Sequence, residues 1–112
     1  MEDNFIIKRS AVPSFSVNGA DGYNFLIKNE KIEVDYIDSK TGHGGRVVSD
    51  LMTHIYYILE GEGDFEIDGN IFHASVGDLV EILPNHSFDY KGKMKMMLIM
   101  NPPFSADHIK HL

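Results

Sequence analysis

One histidine, His54, lies near the start of the most apolar stretch of the chain, THIYYILEG at residues 53–61. The stretch is rich in β-branched, aromatic and aliphatic residues, a composition typical of a buried strand. Histidine is the side chain that most readily exchanges a proton near neutral pH. His54 could therefore act as a general acid or base if it faces a cavity. The alternative is a core histidine that simply hydrogen-bonds to a carbonyl group.

Asp50 is the nearest carboxylate that could orient or charge the His54 ring. Four residues of straight strand span about 13 Å, which is too far for a hydrogen bond, so the segment DLMT would have to bend. A contact with Asp50 would hold the ring charged or fix its tautomer. Without that contact, a dry environment would lower the pKa of His54 below its ordinary value of about 6.5.

Composition and charge exclude several classes of protein. The chain has 112 residues, which predicts one domain over residues 1–112. It contains no cysteine, so a disulfide, a thiolate metal site and a cysteine nucleophile are excluded. The 17 acidic residues outnumber the 10 basic ones, which argues against a nucleic-acid partner. No signal peptide or apolar stretch long enough to span a membrane is present, so a cytoplasmic protein is expected.

Short segments rich in Ile, Val, Tyr and Phe alternate with Gly-, Pro- and Asn-containing turns, which predicts an all-β antiparallel sandwich or barrel. The dipeptide Asp68-Gly69 predicts a two-residue hairpin turn. Only the last residues could be helical, with Ser105 as the N-cap of a short turn. The predicted strands cover residues 5–8, 23–27, 31–37, 46–50, 54–60, 63–68, 71–76, 79–83, 87–90 and 94–100.

Strand alternation predicts which side chains share a face. Within residues 54–60, His54, Tyr56 and Ile58 lie on one face, and the opposite face is also apolar. Such a strand needs a second layer, which an N-terminal strand or a partner subunit could supply. In the last predicted strand the expected interior residues are Met94, Met96, Leu98 and Met100. They are interpreted as soft core filling or as the wall of a pliable ligand pocket.

Two stretches of the sequence resemble the paired motifs of small single-domain cupins. The first, GHGGRVVSDLMTHIYYILEG, runs over residues 42–61, and the second, GDLVEILPNHSFDYKG, over residues 77–92. The resemblance covers residues 31–100 and implies a conserved β-barrel, the double-stranded β-helix, that is commonly a homodimer. It also implies that inward-facing residues of the motifs surround one cavity. The predicted pocket residues are His54, Tyr56, Ile58, Phe88, Met96, His86 and Tyr90.

The metal-binding positions of the cupin motifs are degenerate in this chain. The family uses two histidines, a glutamate and a third histidine. Here the four positions hold Val48, Asp50, His54 and Phe88. Valine and phenylalanine cannot bind a metal, and a stable site needs three or four ligands. No cofactor is therefore predicted. A divalent metal could be held only by Asp50, His54 and His86, with His43 in the preceding glycine-rich loop.

Three functions remain open from the sequence. The first is a module that binds a small organic ligand, such as a sugar or a carboxylate, in the barrel without a metal. The second is a metal-independent isomerase, epimerase or cyclase that uses His54 as acid or base, with Asp50 as its partner. The third is a divalent-metal enzyme with a non-standard Asp/His site. A small-molecule ligand and a second copy of the chain are the expected partners, and whether the protein is an enzyme is left open.

Overall fold

The computed structural model describes residues 5–112, which form ten antiparallel β-strands and one short 3-10 turn. The all-β barrel expected from the spacing of the turns is confirmed. No helix among these residues is long and apolar enough to cross a membrane. The elements are β1 (Phe15–Val17), β2 (Gly19–Phe25), β3 (Glu33–Gly42), β4 (Val47–Ser49), β5 (Thr53–Ile67), β6 (Asn70–Ser75), β7 (Leu79–Ile82), β8 (Phe88–Lys91), β9 (Met94–Asn101), a 3-10 turn (Ala106–His108) and β10 (Ile109–His111).

Strand β5 holds the two halves of the barrel together. Its first half pairs with β9 on one side and β7 on the other. Its second half pairs with β6 and β8. The register to β9 shifts between Ile58 and Glu60, where the strand passes from one half of the barrel to the other. The sequence predicted two strands here, separated by a turn at Gly-Glu-Gly. The strand instead continues, because its two halves find different partners.

Several local predictions are confirmed. Asp68 and Gly69 both have positive φ angles, 51° and 83°, in a two-residue turn between β5 and β6. The alternating residues Met94, Met96, Leu98 and Met100 of β9 are all buried. Ser105 is the N-cap of the 3-10 turn, although its side chain makes no capping hydrogen bond.

The two ends of the described chain differ from the prediction. Residues 5–8 are not a strand, and Phe5 and Ile6 are 86% and 73% exposed. Beyond them, Arg9 forms an isolated bridge to Phe25, and its guanidinium group lies over the rings of Tyr23 and Tyr36. Strands β1 and β10 were not predicted from the sequence. Each has three residues and exists because a preformed partner strand, β2 or β4, accepts its backbone hydrogen bonds.

Candidate functional site

A cavity of about 480 Å³ lies inside the barrel and opens between β1, β10 and the segment before the 3-10 turn. Such a volume suits a small organic molecule. Its walls are mostly apolar and come from both halves of the barrel. Phe15 and Phe104 are partly exposed at its rim. A dry cavity with a few polar groups is the usual form of a small-molecule site.

Aromatic rings form the wall that β5 and β8 contribute. Phe88 is in contact with His54, at 5.0 Å between ring centroids, and with Tyr56, at 6.1 Å. Tyr56 in turn packs against Tyr90 at 5.4 Å. All four residues line the cavity and are at most 5% exposed. They project inward because alternate residues of each strand face the barrel interior, as the sequence predicted.

His54 is kept neutral by its surroundings. Burial, with a smaller effect of the nearby His43, lowers the pKa of His54 to about 4. The direction is the one expected for a dry cavity that Asp50 does not reach. None of the described side chains forms a hydrogen bond with the His54 ring. At neutral pH it is therefore a weak base, but it can still exchange hydrogen bonds with a ligand.

The fold sets the tautomer of His43, a histidine in the wall of the cavity. It follows the last residue of β3, lines the cavity and lies 5.2 Å from the Tyr90 ring. Its Nδ1 atom is 2.9 Å from the Gly45 carbonyl oxygen, and since a carbonyl can only accept, Nδ1 carries the proton. The Asp89 carboxylate is 3.8 Å from the same nitrogen. The neutral ring therefore keeps its basic lone pair on Nε2, and the Asp89 carboxylate lies on the side of the ring that carries the proton.

The loop after His43 can adopt this geometry because it contains two glycines. Gly44 and Gly45 have φ angles of 82° and 156°, which other residues rarely adopt. The signal for this residue in the sequence is weak: a histidine followed by two glycines can turn its ring toward its own backbone. His43 was predicted from the sequence only as a distant metal ligand, because its contact with the Gly45 carbonyl group exists only in the folded loop.

Tyr56 and Tyr90 bring two neutral hydroxyl groups to the cavity. Burial is the main reason that the pKa of each phenol lies far above its ordinary value. Neither hydroxyl group has a hydrogen-bond partner among the described residues, yet neither oxygen is sealed from the cavity. A hydroxyl group in this state is available to donate a hydrogen bond to a ligand.

The other residues predicted for the site lie elsewhere. Asp50 is exposed at the turn before β5, and its carboxylate lies 2.8 Å from Nδ1 of His108 rather than near His54. His86 is exposed and pairs with Asp68. The turn carries Asp50 outward because the chain bends between β4 and β5. The bend required for a contact with His54 exists, but it turns the carboxylate the other way.

Ile58 and Met96 face the interior as predicted, yet they do not line the cavity. Both are fully buried and pair directly across β5 and β9. They lie in the packed core beyond the row that holds Tyr56 and Leu98, so they support the pocket from behind. Side chains from both halves of the barrel together determine where the packed core ends and the cavity begins. Alternation along one strand predicts only that a side chain faces inward, so it could not predict this boundary.

The residues of the degenerate motif do not fit a metal ion. Within residues 5–112, no group of three or more His, Asp or Glu side chains converges in a way that could hold one. The alternative set of Asp50, His54 and His86 is divided between the cavity wall and two exposed turns. Phe88, at the fourth metal-binding position of the motif, packs against His54 at 5.0 Å between ring centroids and has no atom that could bind a metal.

The fold and the apolar cavity inside the barrel place this chain among the cupin-type double-stranded β-helix proteins. A family model described as AraC-like ligand binding domain matches residues 36–93, just over half of the chain. The chain belongs to this family. No curated protein matches the chain in sequence.

Solved structures with the same fold include a nucleoside dehydratase. Pac13, described as a unique nucleoside dehydratase, is 22% identical, with a TM-score of 0.85 over 100% of this chain and 92% of that one. A histidine-to-glutamine variant of the Streptomyces protein bound to uridine is 23% identical, with a TM-score of 0.83 over 95% and 84%. KdgF from Halomonas sp. is 13% identical, with a TM-score of 0.73 over 86% and 89%. At these identities the similarity shows the cupin fold.

Proposed function

We propose that this protein is an acid–base enzyme of the lyase or isomerase type that needs no metal and acts on a small cyclic substrate such as a nucleoside or sugar. The observation that carries the proposal is the position of His43. Its Nδ1–H group is held by the Gly45 carbonyl beside the Asp89 carboxylate, while the ring lines a dry cavity. A histidine with a fixed tautomer, a lone pair on Nε2 and a carboxylate beside its Nδ1–H group is the arrangement that general-base catalysis uses.

The chemistry best suited to these groups is removal of a carbon-bound proton next to a carbonyl group. Nε2 of His43 would take the proton, and the electron pair would move onto the carbonyl oxygen. The hydroxyl groups of Tyr56 and Tyr90 would donate hydrogen bonds to that oxygen and stabilise its developing charge. The enolate then either expels a neighbouring hydroxyl group, which takes a proton from an acid in the cavity and leaves as water in a dehydration, or regains a proton from His43 on carbon in an isomerisation.

Two features of the structural neighbours support the substrate class. Pac13 is a nucleoside dehydratase, and one histidine-to-glutamine and two tyrosine-to-phenylalanine variants of it were solved with uridine. The cavity of this chain likewise contains one oriented histidine and two tyrosines with unpaired hydroxyl groups. Phe15 and Phe104 at the rim could stack on a planar base, which aromatic rings do in many nucleotide sites.

A module that binds a ligand without turning it over is the second candidate. The AraC-like ligand binding family favours it, because the family description names binding alone. The two candidates share the same pocket and differ in whether His43 removes a proton. In a binding module, replacing His43 with glutamine would change affinity and nothing else.

The direct test combines binding and proton exchange. Uridine is titrated into the chelator-treated protein and followed by NMR or calorimetry. A panel of nucleosides and sugars that carry a carbonyl group is then incubated with it in deuterated water and analysed by mass spectrometry. We expect uridine binding, and for at least one carbonyl compound loss of water or uptake of deuterium. Substituting His43→Gln should reduce that rate by about 10²–10⁴-fold, the usual contribution of a general base.

Matched variants separate the pocket from the rest of the barrel. Tyr57→Phe is the control for Tyr56→Phe, because Tyr57 is the next residue on β5 and faces outward. His73→Gln is the control for His43→Gln, since His73 is exposed on β6. Activity that disappears on metal removal and returns with a divalent ion would contradict the proposal. Binding without any exchange across the panel would favour the binding module.

A further inference from the structure

Asp35 is a buried carboxyl group in the barrel interior whose role the proposed chemistry does not explain. It is 0% exposed and faces inward from β3, between two residues that line the cavity, Glu33 and Ile37. Its Oδ1 atom accepts a hydrogen bond of 2.8 Å from the Asn24 side chain. Its Oδ2 atom is sealed from solvent, and no donor faces it within residues 5–112. An ionised carboxylate with one oxygen unsatisfied would be costly at such a site.

Glu33, two residues earlier on the same face, connects this buried group to the cavity. It lines the cavity, and its Oε1 atom accepts a 3.2 Å hydrogen bond from the backbone N–H group of Phe104 at the rim. Glu33 and Asp35 are alternate residues on the same face of β3, and Glu33 acts on Asp35 both as a hydrogen-bonding neighbour and as a like charge. Because two ionised carboxylates have no hydrogen to share, a hydrogen bond between them requires that one of them carries a proton, which would also give the unsatisfied Oδ2 atom of Asp35 a partner. Burial, aided by Glu33, raises the pKa of Asp35 to about 7.

We propose that Glu33 and Asp35 form an acid pair that shares one proton, with Glu33 donating it to the ligand in the cavity and Asp35 holding it in reserve. The inference rests on the proposed function, for which it supplies the acid. In a dehydration, His43 takes the proton from carbon, and the Glu33 carboxyl group gives its proton to the departing hydroxyl group, which leaves as water. Solvent exchange then returns the proton from His43 to the carboxyl pair. The substrate loses one molecule of water, and the protein is unchanged.

No positively charged side chain on β5 or β9 faces Glu33 and Asp35 at neutral pH, so none would favour the ionised form of the pair. From β5, His54 and Tyr56 face it, and burial keeps both neutral near pH 7. From β9, its cross-strand neighbours are Leu98 and Met100, which carry no charge. The other ionisable groups that line the cavity are Tyr90 on β8, which burial keeps neutral, Asp21 on β2, whose carboxylate accepts a hydrogen bond from Ser16, His111 on β10 and His43. A raised carboxyl pKa opposite a histidine base is a common arrangement for an acid–base pair.

A purely structural role for Glu33 is the competing interpretation, in which its carboxylate only holds Phe104 at the rim. The two readings differ in protonation. A structural anchor works as an ordinary ionised carboxylate, whereas an acid pair must hold a proton at neutral pH. They also differ in how ligand binding depends on pH, because a donor that ionises is lost as the pH rises.

The first experiment needs no ligand. The side-chain carboxyl carbons are titrated by ¹³C NMR in the wild type, in Glu33→Gln and in Asp35→Asn. We expect one proton shared by Glu33 and Asp35 that is lost near pH 7, and loss of that titration step in Asp35→Asn. Direct observation of the carboxyl carbons assigns the step to the pair rather than to His43 or His111. Ionisation of both carboxyl groups below about pH 5 in the wild type would overturn the proposal.

The second experiment measures uridine affinity between about pH 5.5 and 9. In the wild type the affinity should fall above pH 7, by at most about tenfold per pH unit for loss of one proton. Glu33→Gln supplies a permanent donor, so its affinity should stay high and lose this pH dependence. Asp35→Asn removes the carboxyl group that shares the proton, so its affinity should be low throughout. Glu30→Gln, in the exposed turn before β3, is the matched control.

The outcomes of the two experiments can be separated. If both variants, verified as folded by their amide NMR spectra, keep the wild-type pH dependence, Glu33 does not donate to the ligand and the proposal fails. If uridine does not bind the wild type at any pH, the nucleoside part of the proposed function fails. The carboxyl titration then still decides whether the acid pair exists.

Discussion

His54 and Asp35 are two buried ionisable residues with shifted pKa values. The two shifts have opposite effects on how the stability of the fold depends on pH. The folded state holds the pKa of His54 at about 4, below its ordinary 6.5, so the unfolded chain binds more protons between these values. Stability therefore falls as the pH decreases through this window. The pKa of Asp35 is raised from 3.8 to about 7, so the folded state binds more protons and stability falls as the pH increases. The two effects largely cancel between pH 4 and 6.5.

Replacing His54 should remove its contribution to the pH dependence of stability. In His54→Phe, the part of the stability loss on acidification that His54 causes should disappear. Relative to the wild type, the variant should gain up to about 1.4 kcal/mol per pH unit between pH 6.5 and 4. Urea unfolding at a series of pH values measures it. His73→Gln is the control, because that exposed histidine pairs with Asp64 and its pKa is raised. A pH-independent difference between His54→Phe and the wild type would contradict the account.

Replacing Asp35 should act with the opposite sign. Asp35→Asn cannot ionise, so relative to the wild type it should gain stability as the pH rises from about 4 to 7, again by at most about 1.4 kcal/mol per pH unit. Above pH 7 the gain should become constant. The same unfolding series measures it, with exposed Asp107→Asn as the control. A gain that stays the same from pH 4 to 8 would show that Asp35 ionises normally in the folded state.

At the scale of the elements, the path of β5 depends on glycines at the crossing point. Gly61 has a φ angle of 78°, and a Cβ atom there would collide with the backbone carbonyl oxygen of Lys93. Strand β5 passes so close to the start of β9 because the two strands stay paired up to Gly61 and Met94, where β5 crosses into the second half of the barrel. Gly69, in the hairpin turn, has a similar φ angle of 83° but open space around its Cα atom.

This pair of glycines allows the cost of crowding to be measured apart from the cost of backbone conformation. Gly69→Ala should destabilise by about 1 kcal/mol, the usual cost of a positive φ angle in a residue with a side chain. Gly61→Ala should cost at least about 2 kcal/mol more, because rigid backbone atoms must move. Thermal or urea unfolding compares them. Equal losses in the two variants would show that the backbone at Gly61 relaxes freely.

At the scale of the whole molecule, one outer face of the barrel carries an apolar row across five strands. The row runs through β2, β3, β9, β5 and β7, and its members are Tyr23, Tyr36, Met97, Tyr57 and Leu79. At one end the Arg9 guanidinium group lies over the rings of Tyr23 and Tyr36. The adjacent row contains Phe25, Val34, Ile99 and Ile55 and ends at Glu81 on β7. Tyr57 and Leu79 are 42% and 59% exposed. The structure therefore leaves uncovered the second face of β5 that the sequence predicted to need a cover.

We expect this face to pair with a second copy of the chain. The substitution Tyr57→Lys places a charge in the middle of this face. It should convert a dimer into a monomer at micromolar concentration, because the interface would bury the charge without a partner. Light scattering coupled to size exclusion measures the mass. Phe72→Lys, a half-exposed aromatic residue on β6 outside this face, should leave the dimer intact. A monomeric wild type would contradict the expectation.

The sequence alone determined the fold and the inward-facing residues of the pocket wall. Period-two alternation places His54, Tyr56 and Phe88 inside, because a strand with one face in the core cannot slip by one residue without exposing that face. The turn at Asp68-Gly69 follows from the same local chemistry, since a two-residue hairpin needs two positive φ angles. The inability of Val48 and Phe88 to bind a metal is equally a property of the residues themselves.

Only the tertiary structure decided which polar groups meet. His43 and Asp89 are 46 residues apart in the sequence and come together because β8 pairs with the end of β3. In the sequence, Glu33 and Asp35 look like ordinary acidic residues of a strand. Asp35 is shielded from water only in the folded barrel, where it lies between Asn24 on β2 and Leu98 on β9. Asp50 faces away from His54 because His108, on the distant 3-10 turn, is placed beside it. Alternation along one strand gives the direction of a side chain, whereas its pKa and partners depend on the strands that fold over it.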